Sequence, residues 1–319
     1  MQDATHRNEE EGRSSPARPW PHIWSRCYFA LQALAGACWW IGVFTLGEIR
    51  ATTLGDLPAG LIAWFDIPLF VVGSLLVACG LRRTVWIVVP WILIVTFGLL
   101  VYSLVTRTAG YGALLMIASS VCSVLAGTQL LLGRIPTELL LRGPFAFRPA
   151  PSQAARSHLS RTIRQLILFW LVFLCIIPAI IIQAEQRLGL AVDFALWTRI
   201  FGICVLVLAS CLGIWSAVTM STRGQGTPLP SAMPNRLVIS GPYVFVRNPM
   251  AVAGIVQGMA VGLVASSWLV VIYAFAGSLL WNWLVRPSEE ANLEESFGDE
   301  FRSYRNNVSC WIPIIRKRR

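Results

Sequence analysis

Residues 249–286 read PMAVAGIVQGMAVGLVASSWLVVIYAFAGSLLWNWLVR and carry a single charged residue, the arginine at the end. A helix needs about 20 apolar residues to cross a bilayer, so this stretch is too long for one span. Ser266 and Ser267 lie near its middle, with Trp268 beside them. The stretch therefore predicts a helical hairpin, two short spans joined by a tight turn.

The rest of the chain has the same character. It is 55% hydrophobic and 13% charged, whereas soluble domains carry about 25% charged residues. The composition predicts an all-α fold, a polytopic integral membrane protein with about eight transmembrane helices including the C-terminal hairpin. Besides the hairpin, spans are predicted near residues 27–47, 61–80, 85–105, 111–133, 164–184 and 198–219.

The positive charges predict an orientation in the membrane. The segments predicted to lie on the cytoplasmic side of the membrane hold most of the arginines. They are Arg82, Arg83, the run 134–164, Arg223, Arg236, Arg247, Arg286 and the basic end of the chain. Outer connectors hold Arg50, Arg107, Arg187 and Arg199. By the positive-inside rule we expect both termini in the cytoplasm, with the bacterial inner membrane as the location. The net charge of +10 is then explained by an anionic inner leaflet, and no nucleic-acid partner is expected. The sequence leaves the oligomeric state undetermined.

Four regions are predicted along the chain. Residues 1–26 form a polar cytosolic tail, and residues 27–133 form a four-helix membrane region without a readable motif. Residues 134–162 are a Pro/Ala/Ser/Arg-rich cytosolic linker, and residues 163–319 form the module that carries the chemistry. The role of the four N-terminal spans is not evident from their residues.

Asp66 lies inside the second predicted span, next to Pro68. Acidic residues within a membrane are functional candidates. The sequence shows no partner for Asp66, so a position at the end of the span and a functional role both stay open.

None of the eight cysteines forms a CxxC pair. This spacing gives no indication of a metal or redox site, and no metal cofactor is expected. We interpret the cysteines as small, buried, reduced hydrophobic residues.

The segment 241–250, GPYVFVRNPM, is more elaborate than a plain connector between spans. Gly241 permits a tight backbone path. Arg247 is a fixed cation that can hold a carboxylate or phosphate in a two-pronged grip. Pro249 suits the first turn of a helix, so Arg247 and Asn248 would lie at a helix N-terminus, which favours anions.

A second polar block follows the hairpin. Pro287 predicts a break in the last span, and Ser288 is suited to cap a new helix. Glu289 and Glu290 would then face the same cytoplasmic mouth as Arg247. An apolar stripe at helical spacing predicts an amphipathic segment, lying on the membrane surface or folded back over the spans. It consists of Leu293, Phe297, Phe301 and Tyr304, and Trp311 would pin the chain end at the interface.

An arginine and two carboxylates suit a zwitterionic cofactor that bears a ribose. Arginine binds a carboxylate, whereas Glu289 and Glu290 can accept from ribose hydroxyls or face a positive centre. Simpler interpretations exist for each group. Arg247 alone is typical of an interfacial anchor, and the glutamates could be a solvated first helical turn.

Together the two blocks resemble the isoprenylcysteine carboxyl methyltransferase family, which belongs with the membrane phospholipid N-methyltransferases. The resemblance covers roughly the last third of the chain. It rests on Gly241, Pro242, Tyr243, Arg247, Pro249, Glu289, Glu290, Leu293, Phe297, Gly298, Phe301 and Tyr304.

This resemblance implies a membrane methyltransferase that uses S-adenosylmethionine and takes its methyl acceptor from the lipid side. The acceptor would be the carboxylate or amine of a prenyl-like or lipid-like substrate. Carried over to this sequence, the cofactor site comprises Gly241, Tyr243, Arg247, Asn248, Pro249, Met250, Glu289 and Glu290. Of these, Arg247, Glu289 and Glu290 are the predicted catalytic residues.

Three positions depart from the family pattern. Asn248 replaces the commoner histidine and cannot titrate. Ala251 stands where tyrosine is frequent, and Arg286 lies farther from Glu289 than the substrate-site arginine of the prenylcysteine enzymes. The last departure leaves the acceptor undetermined.

Two other classes of protein remain as alternatives. One is an NADPH-dependent membrane reductase of the sterol-reductase type, which shares an Arg-His-Pro-like block. The other is a membrane scaffold or transporter without turnover. For a transporter we would expect two matching halves with broken spans, and only one broken hairpin is evident.

Overall fold

The computed structural model describes residues 20–135, 155–224 and 235–313, and the regular structure of these residues is helical. The predicted all-α membrane fold is confirmed. Among the described residues, seven helical stretches are long and apolar enough to cross a membrane, and Pro249–Val264 is a shorter apolar helix. The seven are Ile23–Thr45, Ala59–Ala78, Arg82–Thr106, Gly110–Leu132, Thr162–Arg187, Leu196–Arg223 and Trp268–Asn307.

The chain divides into two compact units, Met1–Ile135 and Pro136–Arg319. The predicted region boundaries stay a prediction, since much of the 1–26 tail and of the 134–162 linker lies outside the described residues. Each unit is described by itself below.

The described part of the N-terminal unit, residues 20–135, contains six α-helices. They are α1 (Trp20–Thr45), α2 (Gly47–Thr53), α3 (Ala59–Asp66), α4 (Gly73–Ala78), α5 (Val85–Thr106) and α6 (Gly110–Leu132). A π-helical turn, Ile67–Val72, joins α3 to α4, so the two form one span. Phe29, Val77, Val88 and Ile92 are fully buried between these helices.

Polar side chains inside this unit are hydrogen-bonded to one another. The carbonyl oxygen of Gln32 accepts from Tyr28 and from Ser123, the latter at 2.7 Å. The Gln32 amide donates to Ser74 at 2.9 Å. A membrane interior has no water to satisfy polar groups, so this cluster links helices α1, α4 and α6.

Asp66 lies within the continuous span Ala59–Ala78, so the interpretation as a span-end residue is wrong. The side chain is buried, with 6% exposure. One carboxylate oxygen accepts from Trp40 Nε1 at 2.8 Å and the other from Trp91 Nε1 at 2.9 Å. Asp66 therefore fastens α3 to α1 and α5.

Residues 155–224 and 235–313 of the C-terminal unit contain six further α-helices. They are α7 (Ala155–Phe169), α8 (Ile177–Arg187), α9 (Leu196–Arg223), α10 (Pro249–Val264), α11 (Trp268–Leu280) and α12 (Arg286–Asn307). Two π-helical turns connect consecutive helices, Trp170–Ile176 between α7 and α8, and Trp281–Val285 between α11 and α12.

Helices α10 and α11 form the predicted hairpin. Ser266 has a left-handed backbone, with φ of 55°. Ser267 caps α11, because its hydroxyl accepts from the backbone N–H of Val270 at 3.2 Å. The same hydroxyl donates to the buried carboxyl of Glu185, which ties the turn to the end of α8.

The predicted break at Pro287 is wrong. The chain stays helical from Trp268 through Pro287 as far as Gly298, and Ser288 donates to the carbonyl of Leu284 rather than capping a new helix. A proline ring presses on the carbonyl four residues earlier and offers no N–H. The wide π-helical turn just before Pro287 accommodates both effects. The backbone instead turns at Gly298, whose φ and ψ are 52° and −123°.

The prediction that the cysteines are buried is also wrong for most of them. Cys310 is buried, whereas the other seven are exposed on the helix surfaces. A thiol behaves as a small apolar group, so it is compatible with the surface of a membrane helix. The exposed cysteines are Cys27, Cys38, Cys79, Cys122, Cys175, Cys204 and Cys211.

Candidate functional site

The loop before α10 has the tight path that its sequence predicts. Residues Gly241–Val244 form one turn of 3₁₀-helix, and Gly241 has a left-handed φ of 62°. A Cβ atom at Gly241 would lie 2.9 Å from Thr219 Oγ1. Both the backbone and the close approach to α9 therefore require glycine at this position.

The loop ends at α10 as expected. Pro249 occupies the first turn of α10, and Asn248 is the residue that precedes it. Tyr243 and Pro249 are buried, so they support the wall of the site, whereas Arg247, Asn248 and Met250 are partly exposed.

The structure brings this loop to the start of α12. Arg247 Nη2 lies 3.2 Å from Glu290 Oε1, and the two side chains are 13% and 20% exposed. The Asn248 side-chain amide donates to Glu289 Oε2 at 3.5 Å. Two blocks that are about 40 residues apart in the sequence thus meet, as the family pattern implies.

Several charged atoms in this cluster are buried without a hydrogen-bond partner. Among the described residues they include Nε and Nη1 of Arg247 and Nε of Arg286. Oε1 of Glu290 faces Arg247 Nη2 as an ion pair but without the geometry of a hydrogen bond. Buried donors and acceptors nearly always have a hydrogen-bond partner, and leaving one without a partner costs about 1–3 kcal/mol. Nitrogen atoms of two guanidinium groups therefore remain available for a ligand.

The Glu289 carboxyl titrates unusually. It lies in the polar α12, beyond the apolar part of the preceding helix. Burial raises its pKa to about 7, the Asn248 hydrogen bond lowers it in part, and the Glu290 charge raises it again. Glu289 thus changes charge near neutral pH, which a surface glutamate does not.

Tyr243 is an unsuitable base. Burial, together with the charge of Glu289, raises the pKa of its phenol well above the usual range. Deprotonation at neutral pH would place a further negative charge in an enclosed position.

The second half of α12 folds back over the loop. Phe301 and Tyr304 are buried, with 1% and 6% exposure. The Tyr304 hydroxyl donates to the Tyr243 carbonyl at 2.6 Å. Of the two arrangements open for the apolar stripe, folding back is therefore the one this half adopts.

Contacts at residues 308–313 were not predicted from the sequence. The Arg247 backbone N–H donates to the Ser309 carbonyl at 2.9 Å. Trp311 Nε1 donates to Asn282 Oδ1 at 3.0 Å, and its ring packs edge-on against Trp281. No pattern in the sequence pairs these positions, because their approach depends on the bend at Gly298.

Residues 197–300 match the family model described as phospholipid methyltransferase. This segment contains the loop, the hairpin and the glutamate pair, so the class defined here is a membrane methyltransferase. The match covers about a third of the chain and confirms the predicted resemblance to this family of methyltransferases.

Among the solved structures that are similar to the chain is the eukaryotic intramembrane Ras methyltransferase ICMT (isoprenylcysteine carboxyl methyltransferase), determined without a monobody. The identity is 15%, the similarity covers 95% of this chain and 99% of that chain, and the TM-score is 0.32. This likeness is too distant to locate site residues. No curated protein matches the chain.

Proposed function

We propose that the protein transfers a methyl group from S-adenosylmethionine to a lipophilic acceptor, the carboxylate or amine of a prenyl-like or lipid-like molecule. One observation carries the proposal. Arg247, paired with Glu290 and beside Asn248 and Glu289, keeps two buried guanidinium nitrogens unbonded within the family segment.

The chemistry of these residues fits the cofactor. Arg247 would hold the carboxylate of the methionine part in a charge-assisted hydrogen bond. Glu289 and Glu290 would accept from the ribose hydroxyls or face the positive charge. When bound, S-adenosylmethionine supplies a methyl group on a positively charged sulfur. The protein aligns acceptor and methyl group and excludes water.

The proton requirement depends on the acceptor. A carboxylate acceptor is already a nucleophile and needs no base. An amine acceptor must lose a proton, and Glu289 is the best-placed base because its pKa of about 7 matches neutral pH. Asn248 cannot take a proton, and Tyr243 is too weak an acid to serve as its phenolate.

The acceptor would reach the site from the bilayer. The distribution of arginines supports an orientation with both termini in the cytoplasm of a bacterial cell, which places the Arg247 loop at the inner surface. A water-soluble cofactor and a lipid-borne acceptor could then approach from different sides.

The test is calorimetric titration of the protein in nanodiscs with S-adenosylmethionine and, separately, NADPH. We expect saturable binding of S-adenosylmethionine that is weakened at least about 30-fold by Arg247→Ala, since breaking a buried charge pair costs about 2–5 kcal/mol. Arg236→Ala is the matched control, because Arg236 is an exposed arginine on the chain leading into the same loop. It should leave affinity unchanged.

Two results would contradict the proposal. Binding of NADPH alone would place the protein with the membrane reductases. Binding of neither ligand would leave a scaffold or transporter role.

A further inference from the structure

The segment 308–313, which we call the strap, touches the site through three consecutive residues. The Ser309 carbonyl accepts from the Arg247 backbone N–H at 2.9 Å. Burial raises the pKa of the Cys310 thiol, and the nearby guanidinium group of Arg286 lowers it in part. Trp311 donates to Asn282 at 3.0 Å. Both arginines with unbonded buried nitrogens thus lie near the same short segment, and Arg247 is hydrogen-bonded to it.

The bend at Gly298 brings the strap to this position. Glu294 precedes the bend and pairs with Arg302 at 2.7 Å and with Arg305 at 2.8 Å. In a straight helix, residues eight and eleven positions apart are about 12 and 16 Å apart along the axis. These ion pairs therefore require the chain to fold back at Gly298, which directs residues 308–313 towards the loop.

The strap is anchored on a π-helical turn. Asn282 belongs to the turn Trp281–Val285, which immediately precedes Arg286. The ring of Trp311 lies 5.2 Å from that of Trp281, with an angle of 81° between their planes. An edge-on aromatic pair and a hydrogen bond at the same residue fix both the position and the orientation of the indole.

We propose that the strap is a positioning element, in which the Trp311–Asn282 hydrogen bond keeps the Ser309 carbonyl on the Arg247 backbone and so holds the Arg247 guanidinium group in the site. Its effect on the cofactor rests on the proposed function. The hydrogen bond between Ser309 and the Arg247 backbone does not rest on the proposed function, because it forms within the protein without a ligand.

Hydrogen–deuterium exchange tests this hold without any ligand. The Arg247 amide can exchange only when the Ser309 carbonyl moves away. Trp311→Phe keeps an aromatic ring against Trp281 but removes the N–H, and Asn282→Leu removes the acceptor. Losing one hydrogen bond of about 0.5–1.5 kcal/mol should speed exchange in peptides containing Arg247 about 2- to 12-fold in either variant.

Two variants serve as controls. Trp283→Phe changes a tryptophan in the same π-helical turn that is 76% exposed, and Asn282→Asp keeps an oxygen that can accept from the indole. Both should exchange like the unaltered protein. Equal exchange in Trp311→Phe, Asn282→Leu and Trp283→Phe would overturn the proposal.

Calorimetry with S-adenosylmethionine then tests the positioning role. We expect Trp311→Phe and Asn282→Leu to weaken affinity by a factor similar to the change in exchange, and Asn282→Asp to restore it. Faster exchange with unchanged affinity would overturn positioning. Absence of binding by the unaltered protein would instead overturn the proposed function, and the strap would still be judged by exchange.

Discussion

The two units treat buried charge in opposite ways. In the N-terminal unit, both oxygens of the Asp66 carboxylate accept from indole N–H groups. In the C-terminal unit, Arg247 leaves two buried nitrogens unbonded although Glu290 lies 3.2 Å away. Among the described residues of the N-terminal unit, the buried unbonded side-chain atoms are the hydroxyls of Ser25 and Ser103.

This difference separates a scaffold from a binding site. A carboxylate whose two oxygens both accept hydrogen bonds from neighbouring helices contributes to holding those helices together. A guanidinium group that is buried but incompletely bonded is costly in the free protein, and a ligand that supplies the missing partner recovers that cost. A buried charged residue thus indicates a structural role where its hydrogen bonds are complete and a binding role where they are not.

The largest effect is expected on the cofactor affinity of the C-terminal unit. Glu290→Ala removes the carboxylate that faces Arg247 and leaves that cation unpaired. We expect affinity for S-adenosylmethionine to fall at least about 30-fold, equivalent to about 2 kcal/mol or more, in nanodisc calorimetry. Glu295→Ala, at an exposed residue of the same helix, is the control. Unchanged affinity in Glu290→Ala would remove Glu290 from the site.

Gly298→Ala should reveal how much the unusual backbone at the bend contributes to stability, because the added methyl group meets no other atom. No atom lies near the added Cβ, but the φ of 52° is unfavourable for alanine. We expect thermal unfolding in detergent to show a loss of about 1–3 kcal/mol. Gly277→Ala also meets open space, in an ordinary helical backbone, and should not destabilise. Equal stability of the two variants would show that the bend is not needed.

Affinity for S-adenosylmethionine should depend on pH. Glu289 has a pKa of about 7, so it is mostly neutral at pH 6 and mostly ionised at pH 8. Only the ionised form presents two acceptor oxygens, so affinity should fall about tenfold, or about 1.4 kcal/mol, between pH 8 and pH 6. Glu289→Gln should abolish this dependence. A pH profile that persists in Glu289→Gln would assign it to another group.

Asp66→Ala examines the N-terminal unit. Hydrogen bonds between membrane helices contribute about 0.6 kcal/mol each on average, so losing both indole contacts should cost about 1 kcal/mol in unfolding experiments. Affinity for S-adenosylmethionine, measured on folded protein, should not change. Asp56→Ala, at an exposed acidic residue of the same unit, is the control. Weaker cofactor affinity in Asp66→Ala would abolish the distinction between the units.

The smallest effect is expected from replacing Cys204 and Cys211 by serine together. Both thiols are exposed on α9, and neither has a role in the proposed site. Methyl transfer and cofactor affinity should be unchanged. A folded but inactive double variant would show that these cysteines contribute to the site.

The hairpin and the meeting of Arg247 with the glutamates could be predicted because they depend on local features. The length of the apolar stretch and the two serines determine the turn. The blocks on either side of the hairpin must then lie at the same end of it. The family pattern supplied the expectation that they form one site.

Other features depend on packing that a sequence pattern does not encode. Asp66 bonds to tryptophans 26 and 25 residues away, on two other helices. The strap reaches Arg247 because Gly298 turns the chain, although Gly298 belongs to the family pattern and no turn was predicted there. Pro287 was interpreted as a helix break, because the π-helical turn that accommodates it leaves no recognisable pattern.

The π-helical turn Trp281–Val285 also sets the rotational phase of everything that follows it. A turn with i→i+5 bonding holds one residue more than an α-helical turn. Each residue of an α-helix advances the direction of its side chain by about 100°. If one residue were removed from this turn, α11 could remain in the hairpin while Glu289 and Glu290 swung to another side of the helix, away from Arg247. A single extra residue near the membrane surface thus determines which way the two carboxylates face.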